Sequence, residues 1–337
     1  MKLTRIFVPL VASMVLYSCA SNNLSYEGKA FKNAYASIKA EELKKNLSVI
    51  ASDEMQGRDT GSEGQKKAGK YMIDFYKNIG VSYPKALGSY YQTVPKEALK
   101  SRGKELPESE NILAFIEGTE KPEEIIVVSA HYDHVGTKDG VVYNGADDDG
   151  SGTVAVMEIA EAFQQAKKAG KGPKRSILFL HVTGEEHGLL GSKYYADHPV
   201  FDMKNTLVDL NIDMIGRSDK ENEGKNYVYV IGSEMLSSEL KVINEAANKI
   251  THNLELNYKY DDPKDPMRLY YRSDHYNFAK SGVPVAFYFD GIHADYHQPT
   301  DDVDKIDFPL LQKRTQLVFA TAWELANRKD RIVVDKK

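Results

Sequence analysis

Five stretches of this 337-residue chain gather carboxylates, imidazoles and glycines in combinations that could do chemistry. They are His131-Tyr132-Asp133-His134, the run from Asn144 to Gly152 with Asp147, Asp148 and Asp149 at its centre, Gly184-Glu185-Glu186-His187, Asp213-Met214-Ile215-Gly216, and the group His293, Asp295, Tyr296 and His297. Singly, each has an ordinary explanation as a capping pair, a turn or a solvated acid. Gathered on one rim, however, several carboxylates would repel one another and take up protons unless cations neutralised them. Two Zn²⁺ ions would balance such a set. Imidazole and carboxylate suit zinc, and no cysteine lies near any of these stretches to make a thiolate site. A paired site needs one bridging carboxylate and two further ligands for each metal. His131, Asp148, Glu186, Asp213 and His297 meet that requirement. Glu185 and Glu186 would point in opposite directions on extended backbone, so one binds metal while the other faces the attacking water. Glu185 is therefore the expected general base.

For these stretches to meet, the elements before them must end on one edge. Near-continuous apolar runs at 111–116, 124–130, 176–182, 207–212 and 283–289 have the length and β-branched or aromatic content of strands covered on both faces. Helical spacing occupies 30–51, 63–79, 152–169, 235–250, 273–281 and 309–327. That alternation predicts a single α/β domain, with a mostly parallel, mixed central β-sheet flanked by helices on both faces. In such sheets ligands sit in the loops at the carboxyl ends of the strands, which is where the polar stretches fall.

The series His131-Tyr132-Asp133, Gly145 to Gly152, Gly184-Glu185-Glu186, Asp213 to Gly216 and Tyr296-His297 resembles the zinc aminopeptidases of peptidase family M28. The likeness takes in Ala51 to Arg58 and Ser273-Asp274-His275 as well. It implies that Asp148 bridges two zinc ions, that His131 and Asp213 hold one and that Glu186 and His297 hold the other. It also implies a cis Asp148–Asp149 peptide, and Tyr296 as a donor to the oxyanion. Asp133 would accept the free N–H of His131, Asp301 would do the same for His297, and Asp274 would support the ligands from behind. The implied reaction is hydrolysis of the first peptide bond of peptides with a free N-terminus. Glutaminyl cyclase shares the fold with a single zinc, but its pocket tryptophans have no counterpart, because the one tryptophan, Trp323, is far from every motif. A carboxypeptidase-type member usually carries an inserted domain, and only about twenty residues are free before Asn111. A binding lipoprotein with a decayed site would lack the base or a ligand, and neither is missing.

Composition sets the outer limits. With 44 Lys+Arg against 49 Asp+Glu the net charge is -5, which offers no basic surface for nucleic acid. One cysteine excludes an internal disulfide framework. Cys19 follows Lys2, Arg5 and a short apolar run, the pattern of a bacterial lipoprotein signal. The expected organisation is a signal at 1–18, a polar tether at 19–29 and a peptidase domain at 30–337. Such a chain would be exported and anchored by lipid on Cys19 in the outer membrane, facing the periplasm or the cell surface.

Overall fold

The computed structural model describes Tyr26, residues 28–101 and residues 103–336. The expected export signal, Cys19 and most of the expected tether, residues 20–25 and 27, lie outside these residues. Helices α1 (Lys29–Ser37), α2 (Ala40–Ile50) and α3 (Glu63–Ile79) come first, followed by strand β1 (Tyr91–Val94) and the small hairpin β2 (Lys100–Ser101) and β3 (Lys104–Glu105). Strands β4 (Ser109–Ile116) and β5 (Lys121–His131) lead to a second hairpin, β6 (Thr137–Lys138) and β7 (Val141–Val142), and then to α4 (Gly152–Lys168). Next come β8 (Arg175–Val182), α5 (Leu190–Asp197), β9 (Thr206–Ile212), β10 (Tyr227–Ile231), α6 (Leu240–Ile250) and β11 (Glu255–Asn257). The chain closes with α7 (His275–Lys280), β12 (Val285–Phe289) and α8 (Phe308–Asn327).

The main sheet has the order β1-β4-β8-β5-β9-β12-β10-β11. Its central strands β8, β5, β9 and β12 are mutually parallel; β1 with β4, β4 with β8 and β10 with β12 pair antiparallel, and the edge pair β10 and β11 is parallel. β8, β9 and β12 are wholly buried, and so is β5 from Glu124 onward, as their unbroken apolar runs require. Side chains alternate between two cores. Ile126, Val128 and Ala130 join the cluster under α4 and α8, whereas Ile125 and Val127 join the one that includes Tyr195 of α5 and Phe278 of α7. The expected fold class is therefore the observed one. Because the four strands run the same way, their carboxyl ends open on one edge.

Two expectations change in detail. The helix expected over 30–51 is broken at Ile38 and Lys39, where the backbone is extended. Ile38 is fully buried there, and its carbonyl accepts hydrogen bonds from the side chains of Gln312 and Gln316 on α8. The break thus trades helix continuity for a tie to α8. The folded part also begins before residue 30, since buried Tyr26 packs its ring edge-on against Phe31 at 5.1 Å. No helix among the described residues is long and apolar enough to cross a membrane.

Candidate metal centre

Each functional side chain is delivered by the end of a parallel strand or by the turn that opens α4. His131 is the last residue of β5, and Asp213 follows β9 directly. Glu185 and Glu186 occupy the turn after β8, and His297 lies in the loop after β12. The Glu185-Glu186 segment is not extended, as the sequence reading assumes. Gly184 has a φ of 70°, and the Gly188 N–H donates to the Glu185 carbonyl at 2.8 Å. The two side chains still diverge: Glu185 Oε2 lies 3.9 Å from His131 Nε2, while Glu186 turns toward His134 and His297.

The Asp147-Asp148-Asp149 run divides its labour. Asp149 accepts from the backbone N–H groups of His131 (3.2 Å), Met214 (3.0 Å) and Gly152 (2.9 Å), locking three loops together. Asp147 accepts from the Gly216 N–H at 2.6 Å and faces His293 Nε2 at 3.1 Å. Only the middle aspartate is left to face the centre. The Asp148–Asp149 peptide is cis, as the resemblance implies. Close approach explains the flanking glycines. A side chain on Gly145 would strike the Asp148 carbonyl and the His134 ring, and one on Gly152 would strike the Asp149 carboxylate.

Asp148 faces two ways. Its Oδ1 is 3.3 Å from His131 Nε2 and its Oδ2 is 3.0 Å from His297 Nε2. On the first side Asp213 Oδ1 stands 3.6 Å from His131 Nε2, and Ser273 holds the other Asp213 oxygen with a 2.6 Å hydrogen bond. On the second side Glu186 Oε2 is 2.9 Å from His297 Nε2 and Glu186 Oε1 is 2.8 Å from His134 Nδ1. The result is two groups of potential ligands, His131-Asp148-Asp213 and His134-Asp148-Glu186, with His297 completing the second. A cation fits them on a test internal to the molecule. His131 Nε2, Asp148 Oδ2, Glu186 Oε1 and both His134 nitrogens are buried without a hydrogen-bond partner, a costly condition that a shared metal ion relieves.

Electrostatics point the same way. Burial alone would lower the His131 imidazole, but Asp213, Glu185 and Asp148 raise it well above the ordinary histidine range. Burial likewise opposes protonation of His297, yet the Asp148 and Glu186 carboxylates beside its ring push it up to about 10. Asp148 goes the other way, held well below the carboxylate range by His134, His131 and His297 despite its burial. Glu185 is pushed well above the usual carboxyl range by burial, helped by Asp213 and Glu186. That is the direction a proton-accepting glutamate needs to work near neutrality.

Some expected supporting contacts fall elsewhere. The carbonyl of Asp133, at 3.0 Å, rather than its carboxylate, faces His131 Nδ1. The Asp133 carboxylate instead accepts from the Thr60 hydroxyl (3.0 Å) and the Glu185 N–H (3.2 Å), so it positions the turn that carries Glu185. Asp301 does not reach His297. It accepts from the backbone N–H groups of Asp147 and Asp148 at 3.1 Å, supporting the aspartate loop from below. Asp274 is buried with both oxygens lacking a hydrogen-bond partner, and its side chain makes no capping bond to α7. Its neighbour Ser273 makes the contact to Asp213. Tyr296 stacks on His297 with ring centroids 3.9 Å apart and lines the cleft beside Asp148 and Glu185. Burial and the surrounding carboxylates raise its phenol, which keeps it a hydrogen donor. Arg217 pairs with Asp295 at 2.9 Å. His181, within β8, is fully buried and sits 2.6 Å from the Tyr76 hydroxyl.

Two contributors escape a sequence reading. His134 ends the first polar stretch without being among the five expected ligands, yet it stands against Glu186. Arg58 is completely buried and donates to the carbonyls of Ile50, Tyr132, Asn144 and Gly145, tying the helix α2 end to two ligand-bearing loops. The available signal was its place at the end of the Ala51–Arg58 motif.

Comparison with known proteins gives relatives by sequence and by fold. A probable leucine aminopeptidase of Arthroderma otae is 30% identical over 222 residues, covering 64% of this chain and 57% of that protein. The chain spans about half the length of the curated relatives it matches. Among solved structures, a zinc aminopeptidase from Bacillus subtilis superposes with a TM-score of 0.65 at 17% identity, covering 87% of this chain and 96% of the other. Glutaminyl cyclase from Porphyromonas gingivalis gives 0.66 at 18% identity, covering 84% and 97%. These likenesses are to the fold. The model of peptidase family M28 matches residues 111–322, well over half of the sequence and every ligand-bearing loop. The chain belongs to peptidase family M28.

Proposed function

We propose that this protein is a di-zinc aminopeptidase that removes the first residue of peptides with a free N-terminus. The observation that carries the reading is the two-sided placement of Asp148, one oxygen toward the His131-Asp213 group and the other toward His297-Glu186. His131, Asp148 and Asp213 would hold one ion; Glu186, His297 and Asp148 the other, with His134 beside them. The metals would supply activation of water and polarisation of the scissile carbonyl. Glu185 accepts a proton from the attacking water and returns it to the leaving amine. Tyr296 donates its phenolic hydrogen to the oxygen that gains charge in the transition state. Ser273 and the Asp133 carboxylate hold Asp213 and the Glu185 turn in register. The substrate amine binds at the acidic end of the cleft, where a blocked amine would lose its charge complement. Support also comes from the family and from the names of relatives, which are aminopeptidases and zinc metalloproteases. Lipid attachment through Cys19 and export to the outer membrane complete the proposal, resting on the sequence pattern alone.

The test is a pair of substrates. Zinc-loaded protein should cleave leucine anilides with a free amine and spare their N-acetylated forms; the reverse preference would overturn the assignment. A glutaminyl cyclase reading draws on a fold neighbour of that name, and it predicts cyclisation of N-terminal glutamine with a single zinc.

A further inference from the structure

Two depressions meet at Glu185. One is an apolar hollow walled by Met214, Leu269, Phe287, Phe289 and Ile292, with Asp148 and Asp213 at its inner end. The other is a groove that leaves the same point past Lys100, Ser101, His187 and Tyr271. Only Glu185, Tyr296 and Arg272 line both. Two of these have roles above; Arg272 has none. It is exposed, and its side chain makes no hydrogen bond, ion pair or ring contact among the described residues. Every other described arginine is engaged: Arg58, Arg175, Arg217, Arg314, Arg328 and Arg331 with oxygens, and Arg268 over the Tyr271 ring at 4.9 Å. The backbone of Arg272 is nevertheless fixed. Its N–H donates to the Leu269 carbonyl at 3.0 Å, and the next residue, Ser273, is bonded to Asp213.

We infer that Arg272 recognises a carboxylate on the leaving side of the scissile bond, making the enzyme selective for substrates that carry one there. The inference rests on the aminopeptidase reading. With the first side chain in the apolar hollow and the leaving nitrogen beside Glu185, the next groups of the substrate enter the groove that Arg272 overlooks. In a dipeptide the group following the leaving residue's Cα is its terminal carboxylate. A guanidinium matches a carboxylate through paired N–H donors, which a lysine ammonium cannot reproduce. The carboxylate could be a dipeptide's own C-terminus or the side chain of an acidic second residue, and each source presents the same chemistry to Arg272. The other described basic side chains of this groove's lining are already paired: Lys100 is 3.1 Å from Glu105, His187 is 2.9 Å from Asp59, and His297 faces Asp148 and Glu186.

The experiment compares ratios within each zinc-loaded enzyme, so that altered folding or metal content cancels. The kcat/KM of Leu-Ala is measured against Leu-Ala amide, and that of Leu-Glu amide against Leu-Gln amide. For the unmodified enzyme one of these ratios should favour the carboxylate by roughly tenfold, the scale of a hydrogen bond to a charged group. Arg272→Gln should bring that ratio near one and Arg272→Lys should keep part of it, with the change mainly in KM. A favoured Leu-Ala identifies the terminal carboxylate; a favoured Leu-Glu amide identifies the side chain. Ratios near one in the unmodified enzyme, or ratios that Arg272→Gln leaves unchanged, would overturn the inference while the aminopeptidase reading stands. No turnover of any of the four peptides or of a leucine anilide would overturn both.

Discussion

The two ligand groups that share Asp148 are not equivalent. The inner group, His131 with Asp213, is built on strand ends: the His131 side chain is 1% exposed and Asp213 is clamped by Ser273. The outer group depends on His297, whose side chain is 36% exposed and whose backbone lies in the left-handed region with a φ of 56°. A ligand on a buried strand end has its position fixed by the sheet ladder. One on an exposed loop must be held by its neighbours, here the stacked Tyr296 and the facing carboxylates of Asp148 and Glu186. The difference teaches that a single acidic rim can offer one rigid seat and one adaptable seat. It follows that the inner ion should bind first and leave last.

The largest effect should come from removing the shared residue. Asp148→Ala breaks both groups at once, so metal content should fall to near zero and activity to background; retention of one full equivalent would show that the groups do not share this carboxylate. Glu185→Gln keeps every ligand and removes the proton acceptor. Turnover should fall by roughly 10² to 10⁴ with zinc content intact, and parallel loss of metal would make Glu185 a ligand instead. A sharper cut separates the two sides. His297→Ala should leave close to one tightly held zinc per chain, whereas His131→Ala should disturb the inner seat and lower both occupancies. Equal losses would erase the distinction between inner and outer groups.

The smallest effect concerns protons. In the metal-free chain His297 has its pKa pushed up to about 10 by Asp148 and Glu186, against an ordinary value near 6.5. A raised histidine contributes stability that is complete below the unfolded value and lost as pH rises through the folded one. Thermal midpoints of chelator-treated protein should therefore decline between about pH 6.5 and 10. His297→Gln should make that decline shallower, and an unchanged slope would show that the imidazole is not held by the two carboxylates.

Much of this arrangement was legible in the residues. Strands buried on both faces announce themselves as unbroken apolar runs, which is why β5, β8, β9 and β12 could be placed and their carboxyl ends treated as one rim. β10 has the same character (Tyr-Val-Tyr-Val-Ile) but carries no motif and passed unremarked, while the edge strands β1 and β11 are too short to show a period. The Ile38-Lys39 break contains no glycine or proline, and its cause lies on α8, nearly the whole chain away. At the site, four of the five ligand candidates share one signal, acid or histidine at or following a strand end, and Asp148 is marked instead by the aspartate run on the turn that opens α4. Asp133, Asp301 and Arg58 act instead through backbone groups of distant loops, and no spacing rule encodes those partners. Asp301 sits four residues past His297, yet the turn between them carries it under Asp147 and Asp148. His134 sat within a recognised motif, and only folding brings it against Glu186.

The central claim is that two ions share Asp148, and zinc titration of metal-free protein monitored by calorimetry tests it most directly. The account predicts two equivalents per chain in separate steps, with the tighter first step surviving His297→Ala and the second abolished by it. A single equivalent in the unmodified protein, at any zinc concentration, would contradict it.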